Sequence, residues 1–235
     1  MKVLVATQKP FAPAAVKGIE EILVKAGHTV TVLEKYADED ELIAAVSDVD
    51  AMIVRSDKVT PKVLAAAGNL KIVVRAGAGF DNIDLAESKA RGVIVENTPG
   101  QNSNAVAELA IAMMIYMSRN QFTPTAGSEI SGKRLGIQAF GNVGRLVGKK
   151  AEALGMTVLA TDPFVPAEKI AEAGAKSVAT VKELYAESDF VSVHIPATPE
   201  TIGSIGYDLI TSMPKGAVLV NTARKEVIDE AGLEK

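Results

Sequence analysis

The chain has 235 residues, enough for one large core or two modest ones. Hydrophobic residues at 48% and charged residues at 23% suit a soluble globular protein, and a net charge of -4 lacks the basic surplus of a nucleic-acid binder. Cysteine is absent, which excludes disulfides, thiol nucleophiles and cysteine-type zinc sites, and the only two histidines, His28 and His194, lie too far apart in sequence to suggest a metal site.

The N-terminal apolar run Val3–Ala6 is too short for a signal peptide and reads as a first strand, so a cytoplasmic chain is expected. Eight further strands are expected at Thr29–Leu33, Ala51–Val54, Ile72–Val74, Val93–Val95, Leu135–Gln138, Val158–Thr161, Phe190–Val193 and Ala217–Val220. Most are unbroken apolar runs, the pattern of strands buried on both faces. Amphipathic stretches such as Ala14–Ala26, Glu39–Ser47, Gly144–Leu154 and Val181–Ser188 lie between them. Thr60-Pro61 and Thr180 carry the capping hydroxyl that opens a helix, the first with proline at the opening position. This alternation predicts an α/β fold with parallel sheets.

Nine strands are many for one doubly wound sheet, and the long apolar helix Ser103–Arg119 interrupts the rhythm. Its most apolar part, Ala105–Met117, contains Glu108 and is too short for a membrane span, so it is expected between protein surfaces. The turn chemistry of Asn97-Thr98-Pro99-Gly100 marks a boundary, giving expected domains of residues 1–99 and 100–235. Five strands then belong to the first sheet and four to the second.

Arg134–Gln138 runs into Ala139-Phe140-Gly141-Asn142-Val143-Gly144 and then a helical pattern, the strand–turn–helix setting of a dinucleotide fingerprint. Gly141 lets the backbone approach a pyrophosphate, Gly144 lets helix and strand pack closely, and the helix N-terminus offers free N–H groups. The next strand ends at Asp162, 18 residues beyond Gly144, where a carboxylate binds the adenosine ribose. Pro163-Phe164 follow, with no arginine for a 2′-phosphate, which favours NAD over NADP. Ala139 stands where the fingerprint has its first glycine, so the turn either avoids positive φ or carries strain. A second glycine run, Gly77-Ala78-Gly79-Phe80-Asp81-Asn82, lacks the third glycine and reads as an anion-binding loop with free backbone N–H groups. Arg55, Arg75 and Arg224 each follow an apolar strand, and three guanidinium groups at carboxyl ends of parallel strands suggest an anionic ligand.

With these residues assembled, the chain resembles the D-isomer-specific 2-hydroxyacid dehydrogenases. The resemblance rests on Arg75–Asp84, Asn97–Ser103, Asp189–Pro196 and Met213–Gly216 through Asn221-Thr222-Ala223-Arg224, and spans essentially the whole chain. The pair Arg55-Ser56 is most similar to the phosphoglycerate dehydrogenase branch. The resemblance implies two doubly wound parallel-sheet domains: a flavodoxin-like substrate domain, then an NAD-binding Rossmann domain, here incomplete. It implies NAD-dependent oxidation of a small anionic D-2-hydroxyacid, most closely 3-phosphoglycerate to 3-phosphohydroxypyruvate. Glyoxylate or hydroxypyruvate reduction, and a non-catalytic NAD-sensing corepressor-like protein, are the alternatives.

By the same resemblance, Arg55, Ser56, Arg75, Asn102 and the backbone of Gly77, Ala78 and Gly79 hold the substrate, and Arg224 grips its carboxylate and polarises the reacting carbonyl. Ala139, Gly141, Asn142, Val143, Gly144, Asp162, Pro196, Thr222 and Ala223 form the cofactor side. His194 falls on a structural position after a buried strand. No metal, nucleic-acid or membrane partner is implied, and Ser103–Arg119 matches a homodimer helix. Lys225 and Gln101 replace glycines usual in the family. Its proton-transfer pair is expected beyond Lys235, so the 235-residue chain is expected to bind NAD without turning over.

Overall fold

A computed structural model describes residues 1–234, which divide into two compact units, Met1–Gln101 and Asn102 onward. The first unit alternates strand and helix: β1 (Lys2–Thr7), α1 (Pro13–Lys25), β2 (Thr29–Glu34), α2 (Glu39–Val46), β3 (Ala51–Val54), α3 (Pro61–Ala66), β4 (Ile72–Arg75), α4 (Leu85–Ala90) and β5 (Ile94–Asn97). All its strands are parallel, in the order β2-β1-β3-β4-β5, the flavodoxin-like arrangement. Thr60 caps α3 by accepting the Val63 N–H, ahead of Pro61 at the first helical position. Leu42 and Val46 of α2 and Val63 and Leu64 of α3 pack with Met52, Val54 and Val73 into one core.

Burial of both faces, expected from the apolar runs, is only partly realised here. Ile53, Ile72 and Val74 are half-buried, and Ile94 is exposed. These residues alternate with Met52, Val54 and Val73, so they point away from the face that α2 and α3 cover. No residue of α1 is buried.

The second unit opens with α5 (Ser103–Ser118), then β6 (Arg134–Gln138), α6 (Asn142–Ala153), β7 (Thr157–Thr161), α7 (Ala167–Glu172), β8 (Lys176–Ser177), α8 (Val181–Ala186), β9 (Phe190–Val193), α9 (Tyr207–Ile210), β10 (Val218–Asn221) and α10 (Glu230–Leu233). Its sheet is also parallel, in the order β10-β9-β6-β7-β8. Counted within this unit, that is 3-2-1-4-5 read from the other edge, the Rossmann order. Five strands are present where four were expected. The missed β8 is a two-residue edge strand, Lys176–Ser177, with no apolar run to announce it.

Strand alternation sends β6 and its neighbours to two cores. Leu135, Ile137, Phe190 and Val220 meet Ala107, Ala110 and Met114 of α5 and Val147 and Ala151 of α6. Leu159, Val191 and Val193 meet Leu184 and Tyr185 of α8. The buried residues of α5, among them Ser103, Ala107, Ala110, Ile111, Met114 and Ser118, recur at helical spacing along one side. Leu109, Met113, Tyr116 and Met117 of the same helix are exposed. No helix among the described residues is long and apolar enough to cross a membrane.

The link from β6 to α6 requires a reversal of backbone hand. Ala139 takes φ 75°, the left-handed region, so the strained alternative foreseen for this position is the one adopted. Its Cβ costs about 1–2 kcal/mol there, partly offset by the greater unfolded-state freedom of glycine. Ala139→Gly is therefore expected to raise unfolding free energy by about 0.5–1 kcal/mol, read as a higher urea midpoint with an unchanged slope.

Candidate functional site

Ligands of open parallel sheets bind beyond the carboxyl ends of the strands, where the strand order reverses. In the second unit that point lies between β6 and β9. The β6 side carries the turn from Ala139 to Gly144, with Gly141 as N-cap of α6. Ala139 N–H donates to Thr161 O at 3.0 Å, which joins the start of the turn to the end of β7. Asp162, one residue further, accepts Phe140 N–H through Oδ2 at 2.7 Å and Phe164 N–H through Oδ1 at 2.8 Å. The sequence-predicted acidic residue thus lies against the glycine turn, with each carboxylate oxygen retaining capacity for a further donor. Among the described residues, no protein acceptor reaches the N–H groups of Gly141, Asn142 or Val143, the orphan donors that make a helix N-terminus receptive to anions. Arg145, which sequence reasoning missed, donates from Nε to Phe140 O at 3.0 Å and holds an exposed guanidinium at this turn.

The two glycines of the turn have different causes. A Cβ on Gly144 would lie 2.3 Å from Ala139 O and 3.1 Å from Ile137 Cγ2, so the protein itself demands the bare backbone. A Cβ on Gly141 would meet nothing within 4 Å. Its φ is −79°, so the conformation does not demand glycine either.

Across the switch point, β9 ends at Val193 and is followed by His194 and Pro196. His194 Nε2 is 2.9 Å from Ser192 Oγ, and Nδ1 is 3.4 Å from Thr222 Oγ1. Burial pushes this imidazole down to about 4, so it is neutral at ordinary pH, one ring nitrogen donating and the other accepting. Thr222, Ala223 and Arg224 follow β10 in a turn clamped by Asn221, to which the sequence motif assigned no role. Asn221 Nδ2 donates to Arg224 O at 2.8 Å, while its Oδ1 accepts Ala223 N–H at 2.9 Å. Arg224 Nη1 donates to Ala223 O at 3.0 Å, folding the guanidinium back over this turn. Gln138, the last residue of β6, accepts the Tyr185 hydroxyl through Oε1 at 2.8 Å, and burial pushes the ionisation of that phenol up.

The first unit has its own cluster at the carboxyl ends of β1, β3 and β4. Arg55 and Ser56 follow β3 and are exposed, and Arg75 ends β4. Arg75 Nε donates to Arg55 O at 2.8 Å, so the structure brings the two cations to neighbouring positions. Arg75 also lies over Gly77: a Cβ there would be 1.5 Å from its Nη1. The Gly77-Ala78-Gly79 loop is fixed by Asn97 Nδ2 donating to Ala78 O at 2.7 Å and Thr98 N–H to Gly77 O at 3.0 Å. One expectation for this loop needs correction. The Gly77 N–H is not free but donates to Arg75 O at 2.8 Å, because the chain turns sharply on leaving β4. No protein acceptor among the described residues reaches the N–H of Ala78 or Gly79. Asn102 precedes α5 and belongs to the second unit; its side chain is exposed and does not cap the helix. Buried Asp57, also missed from sequence, binds the Tyr36 hydroxyl at 2.6 Å. Burial first, and then this hydrogen bond and the carboxylate's charge, push the Tyr36 ionisation up.

Residues 105–235 match the D-isomer specific 2-hydroxyacid dehydrogenase, NAD binding domain. D-3-phosphoglycerate dehydrogenase of Archaeoglobus fulgidus is 40% identical, the match covering 99% of this chain and 45% of the relative. Hydroxypyruvate reductase of Thermotoga maritima is 38% identical, over 86% of this chain and 69% of the relative. Against D-3-phosphoglycerate dehydrogenase of Mycobacterium bovis, also 40% identical, the chain spans 40% of the relative's length. Among solved structures, NAD+-bound 3-phosphoglycerate dehydrogenase of Entamoeba histolytica is 48% identical with a TM-score of 0.93, covering 99% of this chain and 75% of that one.

Two outcomes follow from this geometry. Gly144→Ala is expected to cost about 1–3 kcal/mol of stability, the range for overpacking, while Gly141→Ala leaves unfolding within about 0.5 kcal/mol and weakens NAD binding. Denaturant unfolding and calorimetric titration of both variants check the separation. The second concerns His194. Its folded value is depressed, so its contribution is full above about pH 6.5 and is lost as pH falls toward 4, at most about 3 kcal/mol. Non-titrating His194→Asn is expected to flatten that part of the stability profile, seen as a smaller drop in unfolding free energy between pH 7 and 4.5.

Proposed function

Because the chain belongs to the D-isomer specific 2-hydroxyacid dehydrogenase family, we propose that it binds NAD in its second unit and a phosphorylated D-2-hydroxyacid, 3-phosphoglycerate, for oxidation to 3-phosphohydroxypyruvate. The observation that carries the NAD part of this reading is the turn at Ala139–Gly144, with unpaired N–H groups at the start of α6 and Asp162 bound to its backbone, while the substrate part rests on the arginines at the strand ends. The N–H groups and Arg145 receive the pyrophosphate, and Asp162 accepts the ribose hydroxyls. A carboxylate there repels a 2′-phosphate, so NAD is taken in preference to NADP. Pro196, Thr222 and Ala223 would border the nicotinamide, which when bound would supply the hydride acceptor for the oxidation.

Within the second unit, Arg224 offers a guanidinium held by its own turn, suited to bidentate binding of a carboxylate. Within the first unit, Arg55, Ser56 and Arg75 take the phosphate, with the N–H groups of Ala78 and Gly79 as further donors to an anion. His194 is not the proton acceptor, since burial keeps it neutral and both its ring nitrogens already face hydroxyls. The exposed apolar residues Leu109, Met113, Tyr116 and Met117 support a homodimer formed through the α5 region.

Hydroxypyruvate reduction is the second reading, favoured by the long match to the Thermotoga maritima enzyme. It needs no phosphate clamp, and calorimetric titration separates the two. The phosphoglycerate reading expects Arg55→Ala to weaken 3-phosphoglycerate roughly 10- to 100-fold, the worth of a charge-assisted bond, and to spare D-glycerate. Equal affinity of wild type and variant for 3-phosphoglycerate rejects it in favour of an unphosphorylated substrate. Asp162→Ala in the same series is expected to weaken NAD; unchanged affinity would misplace the ribose contact.

A further inference from the structure

Asp57 is 4% exposed, yet it stands two residues after an exposed arginine at the open end of a sheet. Its Oδ1 accepts Gln8 N–H at 2.7 Å and the Tyr36 hydroxyl at 2.6 Å, and its Oδ2 accepts Arg55 N–H at 3.2 Å. Gln8 follows β1, Tyr36 follows β2 and Arg55 follows β3. The carbonyl of Asp57 accepts Asn82 Nδ2 at 2.7 Å, which brings in the loop after β4. One residue therefore joins the carboxyl ends of four parallel strands, at the β1/β3 point where this sheet reverses its order.

The connection to Arg55 runs through both ends of that side chain. Its backbone N–H is held by Asp57 Oδ2. Its guanidinium donates from Nη1 to Pro10 O at 3.1 Å and to Lys9 O at 3.4 Å, on the segment that follows Gln8. That segment is itself fixed by Asp57 Oδ1 at Gln8 N–H and by Thr7 Oγ1 donating to Lys9 O at 2.5 Å. Moving the carboxylate would shift the root of Arg55 and the carbonyls that hold its tip. Arg75 Nε bonds to Arg55 O, so the second cation is referenced to the same backbone.

We infer that Asp57 is a positioning residue that sets Arg55 for the phosphate group of the substrate, an inference that rests on the anion-binding reading of Arg55 given above. Asp57 is buried beneath the loops and acts only through the arginine's backbone and its carbonyl rests. The chemistry requires a carboxylate, because two backbone N–H donors and a hydroxyl converge on two acceptor oxygens. An asparagine offers one acceptor and turns its NH2 toward a backbone donor, so the bond to Gln8 or the bond to Arg55 must be lost. The sheet below keeps its strands, whereas the orientation of the guanidinium is lost.

The test is calorimetric titration of the full chain with 3-phosphoglycerate, D-glycerate and NAD, comparing wild type, Asp57→Asn, Tyr36→Phe and Arg55→Ala. Asp57→Asn is expected to weaken 3-phosphoglycerate roughly 10-fold while D-glycerate and NAD change by less than about twofold, as a misplaced clamp does. Tyr36→Phe, which removes one of the three donors, is expected to weaken 3-phosphoglycerate about threefold with the same selectivity. It carries the test should Asp57→Asn fail to fold. Equal losses for both acids would show a merely structural role and overturn the inference. So would unchanged 3-phosphoglycerate affinity in a chain that needs Arg55. If Arg55→Ala itself leaves that affinity intact, the phosphate reading fails and the inference falls with it.

Discussion

The second unit is organised around one close contact: α6 rests on the carbonyl oxygen of Ala139. With the added Cβ of any other residue at 144 only 2.3 Å from that oxygen, the helix could not start so near the end of β6. The approach makes the chain reverse within a few residues, which forces Ala139 into the left-handed region and leaves Gly141, Asn142 and Val143 with donors that nothing among the described residues satisfies. A tight helix–strand contact, local strain and a set of unpaired N–H groups therefore have one origin. The strain at Ala139 and the desolvation of those N–H groups are costs to the unliganded fold, and an anion at the helix N-terminus offsets the second of them.

The two units apply the same arrangement to different ends. Each is a parallel sheet with a reversal of strand order, β1/β3 in the first and β6/β9 in the second, and each gathers its polar residues at the carboxyl ends there. In both, a short polar side chain faces back into the protein to hold loop backbone: Asp57 in the first, Asp162 and Asn221 in the second. The residues that face outward, Arg55 and Arg224, bond to carbonyls of the loops so fixed. A long cationic side chain loses less freedom on meeting a ligand when its tip is already held.

Much of this was legible in the sequence. Unbroken apolar runs marked the inner strands, because strands buried on both faces carry no polar alternation; β9, buried at all four residues, is the clearest case. Thr180 announced α8 and does accept the Glu183 N–H. β8 was missed because a two-residue pairing at a sheet edge needs no hydrophobic signal, and α7 because only Ile170 of its six residues is buried. Ile94 reads as a core residue by type, yet it lies on the face that α2 and α3 leave uncovered, a fact of topology that no local pattern records. The site was legible where chemistry has a spacing, as at Gly141, Gly144 and Asp162. The holding residues Asp57 and Asn221 left no such mark. The partners of Asp57, Gln8 and Tyr36, are 49 and 21 residues away and become neighbours only when the sheet forms, while Asn221 bonds to Ala223 and Arg224 close by and its type alone did not announce that turn.

The contrast between Gly141 and Gly144 separates two meanings that a glycine pattern merges. Gly144 is explained wholly by the atoms of this chain, and a fold with the same helix–strand contact and no ligand would keep it. Gly141 has room for a side chain and an ordinary φ, so nothing intramolecular accounts for it. What a Cβ there would obstruct lies outside the protein, in the space before the N–H groups of α6. Gly77 shows the third case, where the neighbour is a side chain able to move: Arg75 occupies the volume that a Cβ would take. In that loop the missing side chain serves the placement of a cation, so glycine and arginine form one unit although only the arginine carries charge. Within this turn, at a helix N-terminus with unpaired N–H groups, Gly141 is therefore a stronger pointer to a ligand than Gly144.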